Sequence, residues 1–186
     1  MDVIAAFGLS ASAGLNAYIP MLVVSLLARF TGLIELSGGW RALESWWVIG
    51  VLLVLSLVEF FADKIPAVNH INDIIQTFIR PTAGAILFAA SANVITEIHP
   101  ILSMIAGLLV AGGVHAVKSL VVRPAVTVTT AGVGDVPISV MEDVIATTLS
   151  VLSVLIPILV AIILVILSVW LIWWISNRAT KNQAQS

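Results

Sequence analysis

Charged residues and cysteine are scarce in this sequence. Only 10% of the 186 residues are charged, whereas an ordinary globular domain carries about 25%. The chain has no cysteine, which excludes disulfides, iron–sulfur clusters and thiol catalysis and leaves the redox compartment undetermined. Its eight basic residues form no cluster and the net charge is −2, so we expect no nucleic-acid partner.

Apolar residues dominate the composition of the chain. They make up 60% of the chain, with a mean hydropathy of +1.15. Such a chain cannot cover its surface with polar groups, so we expect the lipid bilayer as its solvent. The length predicts a single membrane domain over residues 1–186, without a separate soluble module. The N-terminus lacks the positive region of a signal peptide, so we expect it to be retained as the first span.

The apolar runs predict an all-α, polytopic membrane protein. A helix needs about 20 apolar residues to cross a bilayer, and Pro157 divides a final run too long for one span. A loop is predicted over residues 123–137 and a polar tail over 177–186. With six spans most lysines and arginines share one side, which predicts cytoplasmic termini in a bacterial inner membrane. The six predicted segments are 3–30, 46–61, 82–98, 101–122, 138–155 and 157–176.

Two polar stretches interrupt the apolar sequence, at residues 58–84 and 134–148. An ionisable group in lipid costs a few kcal/mol unless it is paired or faces a polar cavity. Six of the ten acidic residues nevertheless lie in these two stretches. We therefore predict that the two stretches form the polar centre of the protein. The acids are Glu59, Asp63, Asp73, Asp135, Glu142 and Asp143.

The first polar stretch is expected to be broken by proline. Pro66 and Pro81 each disfavour helix at and before their position. The twelve residues from 68 to 79 predict a short amphipathic helix between them. Four polar side chains around this helix recur at spacings of four, three and four, so they share one face. They are Asn69, Asp73, Gln76 and Arg80.

A weak internal repeat relates two halves, at about 1–99 and 100–176. Residues 4–23 align with 103–122 at a constant offset, which matches Asn16 with His115. The acidic stretches also align, and transporters often place such halves in inverted orientation around a midplane site. Inversion of both pairs requires re-entrant acidic segments, which are allowed where they line a cavity. The matched pairs are Asp63 with Asp135, Pro66 with Pro137, Asp73 with Asp143 and Thr77 with Thr147.

The two polar stretches resemble the signature blocks of a bacterial membrane family. The blocks are EFFADKIPAVNHINDIIQTFIRP at residues 59–81 and TTAGVGDVPISVMEDVIA at residues 129–146. The family is catalogued as a domain of unknown function, number 4126, and the resemblance covers residues 8 to about 155. Its second block usually reads Gly-Asn-Pro, and here Asp135 stands in place of the Asn. The resemblance implies a protein with several spans and implies no activity.

Several chemistries suit these residues. The six acids supply oxygen ligands for a hard cation, whose identity stays open. Asp73 and Asp143 occupy matching positions and are our choice for proton coupling. Arg80 suits an anionic substrate or an acidic partner. The structural alternative is that Asp63–Lys64 and Asp73–Arg80 are ion pairs, and that the acids at 135, 142 and 143 cap a helix. Lys118 and Arg123 could also contact an anionic head group or substrate, but interfacial anchoring is the commoner role of such residues and is the one that we expect.

The leading hypothesis is a small transporter or channel that moves an ion or small solute between the two halves. The expected pathway-lining residues are Asn16, His115, Thr77 and Thr147, with Lys64 and Arg80 as ion-pair or substrate contacts. We expect no catalytic residue and no cofactor, and we expect a homodimer. The alternatives are a membrane scaffold or assembly protein and, third, an intramembrane lipid-processing enzyme.

Overall fold

The part of the chain that the structure describes folds into helices alone. The computed structural model describes residues 3–92 and 99–183, without the side chains at 66–70, 92, 158–161 and 175–183. A 3-10 helix at Gly38–Glu44 precedes α3, and a π-helical segment at Lys118–Val122 joins α5 to α6. The helices are α1 (Val3–Leu15), α2 (Tyr18–Phe30), α3 (Trp46–Ala62), α4 (Pro66–Ala92), α5 (Pro100–Val117), α6 (Arg123–Thr130), α7 (Asp135–Leu155) and α8 (Pro157–Gln183).

Three described helical stretches are long and apolar enough to cross a membrane. They are Ile71–Ser91, Pro100–Thr130 and Asp135–Leu155. A fourth is formed if Gly38–Glu44 and Trp46–Ala62, which are bent by 62°, count as one span. The class predicted from composition, a helical membrane protein, is confirmed. The described residues support three or four spans, so the arrangement of six in two halves stays a prediction.

The first predicted segment, 3–30, is broken in the middle, so the prediction of one continuous helix was wrong. α1 ends at Leu15 and α2 begins at Tyr18. The side-chain Oδ1 of Asn16 accepts hydrogen bonds from the backbone N–H groups of Tyr18 (3.1 Å) and Ile19 (3.0 Å). Pro20 is the third residue of α2, where its missing N–H removes no helical hydrogen bond. The break therefore gives the Asn16 side chain its hydrogen-bond donors, and it places Pro20 in the first turn of a helix, where a proline is tolerated.

The predicted break at Pro81 does not occur. The predicted break before Pro66 is present, but α4 begins at Pro66 itself, before the predicted start at residue 68, and runs through Pro81 to Ala92 as one helix. The ring of Pro81 lies beside Gly112 of α5, 3.6 Å from where a Cβ at that glycine would be. Close packing against α5 supports the helix on both sides of the proline. The predicted segment 82–98 is thus the second half of α4, and its residues 93–98 lie outside the described chain. Between 66 and 92 the chain does not turn back.

The predicted loop at 123–137 is also mostly helix. α6 continues from α5 to Thr130, and only residues 131–134 form a turn before α7. The hydroxyls of Thr129 and Thr130 donate to carbonyls one turn earlier in α6 (2.6 and 2.8 Å), which lets a threonine-rich segment remain helical. Ala131 ends the helix in the left-handed region, with a φ of 52°. The predicted division at Pro157 is confirmed, because α8 begins there.

α1 lies at the centre of the helix packing. It contacts α4, α5, α7 and α8, and nine of its thirteen residues are buried. Its buried residues are almost all alanine, serine and glycine, which allow neighbouring helices to approach closely. The hydroxyl of Ser10 donates to the Gly84 carbonyl of α4 (3.0 Å), and that of Ser12 contacts the Ala146 carbonyl of α7 (2.7 Å). These small residues therefore form a surface that faces neighbouring helices.

The closest helix contact joins α4 and α5 at Gly84 and Gly107. A Cβ added at Gly107 would overlap the carbonyl oxygen of Gly84 and would lie 2.6 Å from the Cβ of Phe88. A Cβ added at Gly113, on the same helix, would have no neighbour within 4 Å.

We therefore expect Gly107→Ala to destabilise the protein by about 1–3 kcal/mol through overpacking. Gly113→Ala is the matched control, and its higher helix propensity should stabilise by up to about 1 kcal/mol. Apparent melting temperatures of the two variants in detergent measure the difference. Equal effects at both positions would contradict the backbone contact.

Candidate functional site

The two acidic stretches meet in one buried cluster, which we call the charge network. Five carboxylates and four cationic side chains take part, so its formal charge is −1. The members come from α3, α4, α6 and α7, from the connection between α3 and α4, and from the π-helical segment. The prediction that both stretches share one polar centre is confirmed. The members are Glu59, Asp63, Lys64, Asp73, Arg80, Lys118, Arg123, Glu142 and Asp143.

Arg123 is the hub of the charge network. Its Nη2 lies 3.1 Å from Oδ2 of Asp63 and 2.8 Å from Oε2 of Glu142, and its Nη1 lies 3.3 Å from Oδ2 of Asp73. The guanidinium group presents several N–H donors in one plane, which suits contact with several carboxylates at once. Its side chain is only 10% exposed. One cation therefore joins acids from the α3–α4 connection, α4 and α7.

Arg80 forms the deepest part of the network. Its side chain is completely buried, and Nη2 donates to Oε1 of Glu59 at 2.9 Å. The same atom lies 3.9 Å from Oδ2 of Asp63. Nη1 lies 3.1 Å from Nδ1 of His115 on α5. Arg80 was predicted to contact either an anionic substrate or an acidic partner, and Glu59 is such a partner.

The hydrogen bonds assign the protonation state of His115. An arginine side chain can only donate, so Nδ1 of His115 must accept from Arg80 and carries no proton. The imidazole is then neutral with its proton on Nε2, which donates to Oγ1 of Thr77 at 3.2 Å. The Thr77 hydroxyl donates in turn to the carbonyl of Asp73 at 2.8 Å. His115 and Thr77 therefore lie in the site, as predicted.

The break between α1 and α2 belongs to the same site. Lys118 Nζ donates to the Leu15 carbonyl at the end of α1 (2.8 Å) and lies 2.8 Å from Oε2 of Glu142. Asn16 Nδ2 donates to Oδ1 of Asp143 at 2.9 Å. A cation thus lies at the C-terminus of one helix and an anion beside the N-terminus of the next, as the helix dipoles favour. The helix break and the charge network stabilise each other.

The observed ion pairs differ from those predicted. Lys64 pairs with Asp143 (3.3 Å) and not with the adjacent Asp63. Asp73 pairs with Arg123 and not with Arg80. Asp73 and Arg80 are two turns apart on α4, about 10 Å along the helix axis, which is beyond ion-pair distance. The closer cation for Asp73 comes from α6.

Lys118 and Arg123 are the site residues whose role the sequence interpretation misjudged. They were predicted to be interfacial anchors, and this was wrong, because both are buried, at 3% and 8% exposure. Charge balance was the available signal, since six acids in apolar surroundings need more cations than Lys64 and Arg80. Asn72 was missed. It donates to Oδ1 of Asp63 at 2.6 Å.

A pocket of about 440 Å³ borders the network. Asp73 and Lys64 face it with side chains that are 22% and 17% exposed. Asp135, the first residue of α7, also lines it, and its Oδ1 lies 2.7 Å from the Thr127 hydroxyl. The lining residues are Asp63, Lys64, Asp73, Ser119, Arg123, Pro124, Thr127, Val128, Gly132, Asp135, Val136 and Ile138.

Thr147 is a predicted site residue whose side chain reaches neither the network side chains nor the pocket lining among the described residues. Its side chain is exposed, and its hydroxyl donates to the Asp143 carbonyl of its own helix at 2.8 Å. Among the described residues, no three His, Asp or Glu side chains are arranged to hold a metal ion. The network carboxylates contact lysine and arginine side chains. Among the described residues the six acids therefore do not form the predicted site for a hard cation.

The pKa of Asp63 reflects its position in the network. Burial would raise this pKa, but the charges of Lys118, Arg123 and Arg80, with the hydrogen bond from Asn72, outweigh burial and hold it below the ordinary value of 3.8. The carboxylate therefore stays ionised while buried. Its ionised form contributes to stability through these cations.

Arg123→Gln should destabilise the protein by about 3–5 kcal/mol, because two buried carboxylates, Asp63 and Glu142, and the partly exposed Asp73 lose their shared cation. Arg41→Gln, at an exposed position, makes the same chemical change and should alter stability by no more than about 0.5 kcal/mol. Unfolding in detergent, followed by circular dichroism, measures both.

A double-substitution cycle sharpens the test of Arg123. Its guanidinium is the only cationic group within ion-pair distance of Asp73 among the described residues. Asp73→Asn should therefore destabilise less in the Arg123→Gln protein than in the wild type, by about 0.5–3 kcal/mol. Additive effects of the two substitutions would show that their contact contributes nothing.

The stability difference between wild type and Asp63→Asn should depend on pH. A lowered pKa in the folded state means that the ionised Asp63 stabilises above its ordinary pKa, and that this contribution is lost as the pH falls through the folded-state value. The difference should be largest near about pH 6 and smaller near about pH 3. Apparent melting temperatures over this range measure it, and a difference that grows on acidification would contradict the lowered pKa.

Comparison with known proteins gives one match. The sequence profile of a family described as Domain of unknown function (DUF4126) matches residues 3–177, which include the whole network and pocket. No curated protein and no solved structure matches the chain. The profile match confirms the resemblance seen in the two polar blocks.

Proposed function

The chain belongs to the DUF4126 family, and because that description names no function, we propose one from the charge network. The protein is a small membrane transporter or channel, and an ion or small solute passes the network during transport. The carboxylates of the network provide proton or cation coupling. The observation that carries this proposal is the convergence of nine charged side chains in one cluster within an apolar helical protein, with four of them lining one pocket.

Burial of so many charges is a poor means of stabilising a membrane fold. Well-packed apolar side chains of similar volume are often as stable as a buried ion pair, or more stable. Ionisable groups within membrane helices usually mark ion or substrate pathways. Two buried carboxylate oxygens, Oε2 of Glu59 and Oε1 of Glu142, accept no hydrogen bond from the described residues. Unmatched acceptors of this kind are available to a passing proton or cation.

Asp73 and Asp143 are the proposed coupling residues. They are the most exposed carboxylates of the network, with side chains 22% and 10% exposed. Each has one cationic partner, Arg123 for Asp73 and Lys64 for Asp143. Asp73 also lines the pocket, so a solute in the pocket can reach this carboxylate directly.

The wider arrangement is part of the same proposal. Two inverted halves would provide the two sides of the pathway, and cytoplasmic termini in a bacterial inner membrane would give it direction. The helices of a single chain would make a thin wall around such a pathway, so we propose that the protein acts as a homodimer. Asn16, His115 and Thr77 would line the crossing beside the network.

A membrane scaffold is the second candidate function. It is favoured by the pairing of all four cationic side chains of the network with carboxylates. In this role the ion pairs would hold α3, α4, α6 and α7 together and would carry nothing. The two functions differ in what the substitution of a coupling residue should do.

Proton flux into liposomes separates these functions. The purified protein is reconstituted with a pH-sensitive dye inside, and a potassium diffusion potential drives proton entry. We expect faster acidification than in protein-free liposomes, and Asp73→Asn or Asp143→Asn should slow it by about tenfold or more, equivalent to about 1.4 kcal/mol. Glu35→Gln, at an exposed position before the 3-10 helix, is the control and should retain the wild-type rate.

Three other outcomes would count against transport. Equal flux in wild type and both Asn variants would remove the coupling role. Loss of thermal stability in these variants, with no flux in any protein, would favour the scaffold. Turnover of a lipid without any gradient would favour the third hypothesis, an intramembrane lipid-processing enzyme.

A further inference from the structure

We propose that the 440 Å³ pocket binds a small organic cation, an ammonium or guanidinium compound, with Asp135 as its main ionic contact. The inference names the solute class for the proposed transport site and in that sense rests on the proposed function. The binding itself is an equilibrium property of the pocket and can be measured without transport.

The two cationic side chains of the pocket are already engaged. Arg123 contacts three carboxylates, those of Asp63, Asp73 and Glu142. Lys64 Nζ lies 3.3 Å from Asp143, donates to the Phe60 carbonyl at 2.8 Å and lies over the Phe60 ring. An anionic ligand would therefore have to displace existing partners before it could bind either cation.

Asp135 is different from the other acids of the pocket. Among the described residues no cationic group lies within ion-pair distance of it, and its side-chain contact is the Thr127 hydroxyl at 2.7 Å. It is also the first residue of α7. Asp135 is therefore a partly exposed acid that a cationic ligand can approach.

The charge of the pocket lining supports a cation. The lining contains three acids, Asp63, Asp73 and Asp135, and two basic residues, Lys64 and Arg123, so its formal charge is −1. The hydroxyls of Thr127 and Ser119 are further hydrogen-bond acceptors for N–H groups.

The size of the pocket indicates an organic cation. A volume of about 440 Å³ falls within the range of about 300–1,000 Å³ that small-molecule sites occupy. It is much larger than a bare metal ion needs, and the described acids form no metal-binding group. The ammonium group could belong to a free amine or to the head group of an amine lipid, because both present the same chemistry.

Thermal stability in lipid-free detergent provides the test. Ethanolamine hydrochloride is the free probe, and a short-chain phosphatidylethanolamine is the lipid probe. Sodium acetate and sodium chloride at equal ionic strength are the controls for an anion and for salt. We expect at least one amine probe to raise the apparent melting temperature of the wild type in a saturable manner, and the two controls to have no such effect. The probe that does so identifies the source of the amine, and either source supports the proposal.

Asp135→Asn should weaken this binding by about tenfold or more, as expected for the loss of a charge contact. Glu35→Gln should bind like the wild type. Asp135 is partly exposed and lies outside the charge network, so we expect Asp135→Asn to fold normally. The melting temperature of this variant without ligand checks its fold. Thr127→Val, which removes the neighbouring hydroxyl and keeps the acid, is a second variant that should still bind the amine.

Three results would overturn the proposal. They are a saturable shift with acetate instead of the amines, no shift with either amine up to about 10 mM, and an amine affinity that Asp135→Asn leaves unchanged. Failure of the proposed function looks different. In that case the amine binds in detergent with Asp135 dependence, but the liposomes show no flux.

Discussion

The contact of Arg123 with three carboxylates is the interaction on which the rest of the structure depends. Asp63 follows α3, Asp73 lies on α4 and Glu142 lies on α7, so one guanidinium group holds three separate parts of the chain around α6. In apolar surroundings each of these acids alone would be strongly unfavourable. The shared cation offsets part of that penalty and brings both acidic stretches to one place. The pocket exists because these helices meet there and leave space between α6, α7 and the α3–α4 connection.

The break in the first apolar segment connects the fold to this network. Small residues allow α1 to lie at the centre of the bundle, and this places its C-terminus beside the buried charges. Lys118 then satisfies the terminal Leu15 carbonyl while it pairs with Glu142. Asn16 caps α2 and also donates to Asp143. A substitution in the network would therefore also disturb the central helix, so function and stability in this protein are coupled.

Much of the fold could be predicted from local sequence, and the exceptions share one cause. The chain breaks before Pro66 and before Pro157 as predicted, and each proline is the first residue of a helix, because a proline in the first turn loses no hydrogen bond. Pro81 was predicted to end a helix, but the glycine-lined approach of α5 supports α4 across it. The threonine-rich segment 123–130 was predicted as a loop, but its hydroxyls bond within the helix. Tertiary packing and side-chain hydrogen bonds outweighed local propensity in both cases.

The sequence by itself determined that the protein is helical, that its solvent is largely apolar, and that two acidic stretches form its polar centre. These properties follow from composition and from the spacing of residues along one chain. Only the tertiary structure decided the partners of each charge, because ion pairs are set by distance in space. Arg123 and Lys118 therefore became central although they flank an apolar helix in the sequence, and Asp73 and Arg80 share a helix without contact. The same packing left Asp135 without a cation among the described residues, and the proposed ligand site follows from that position.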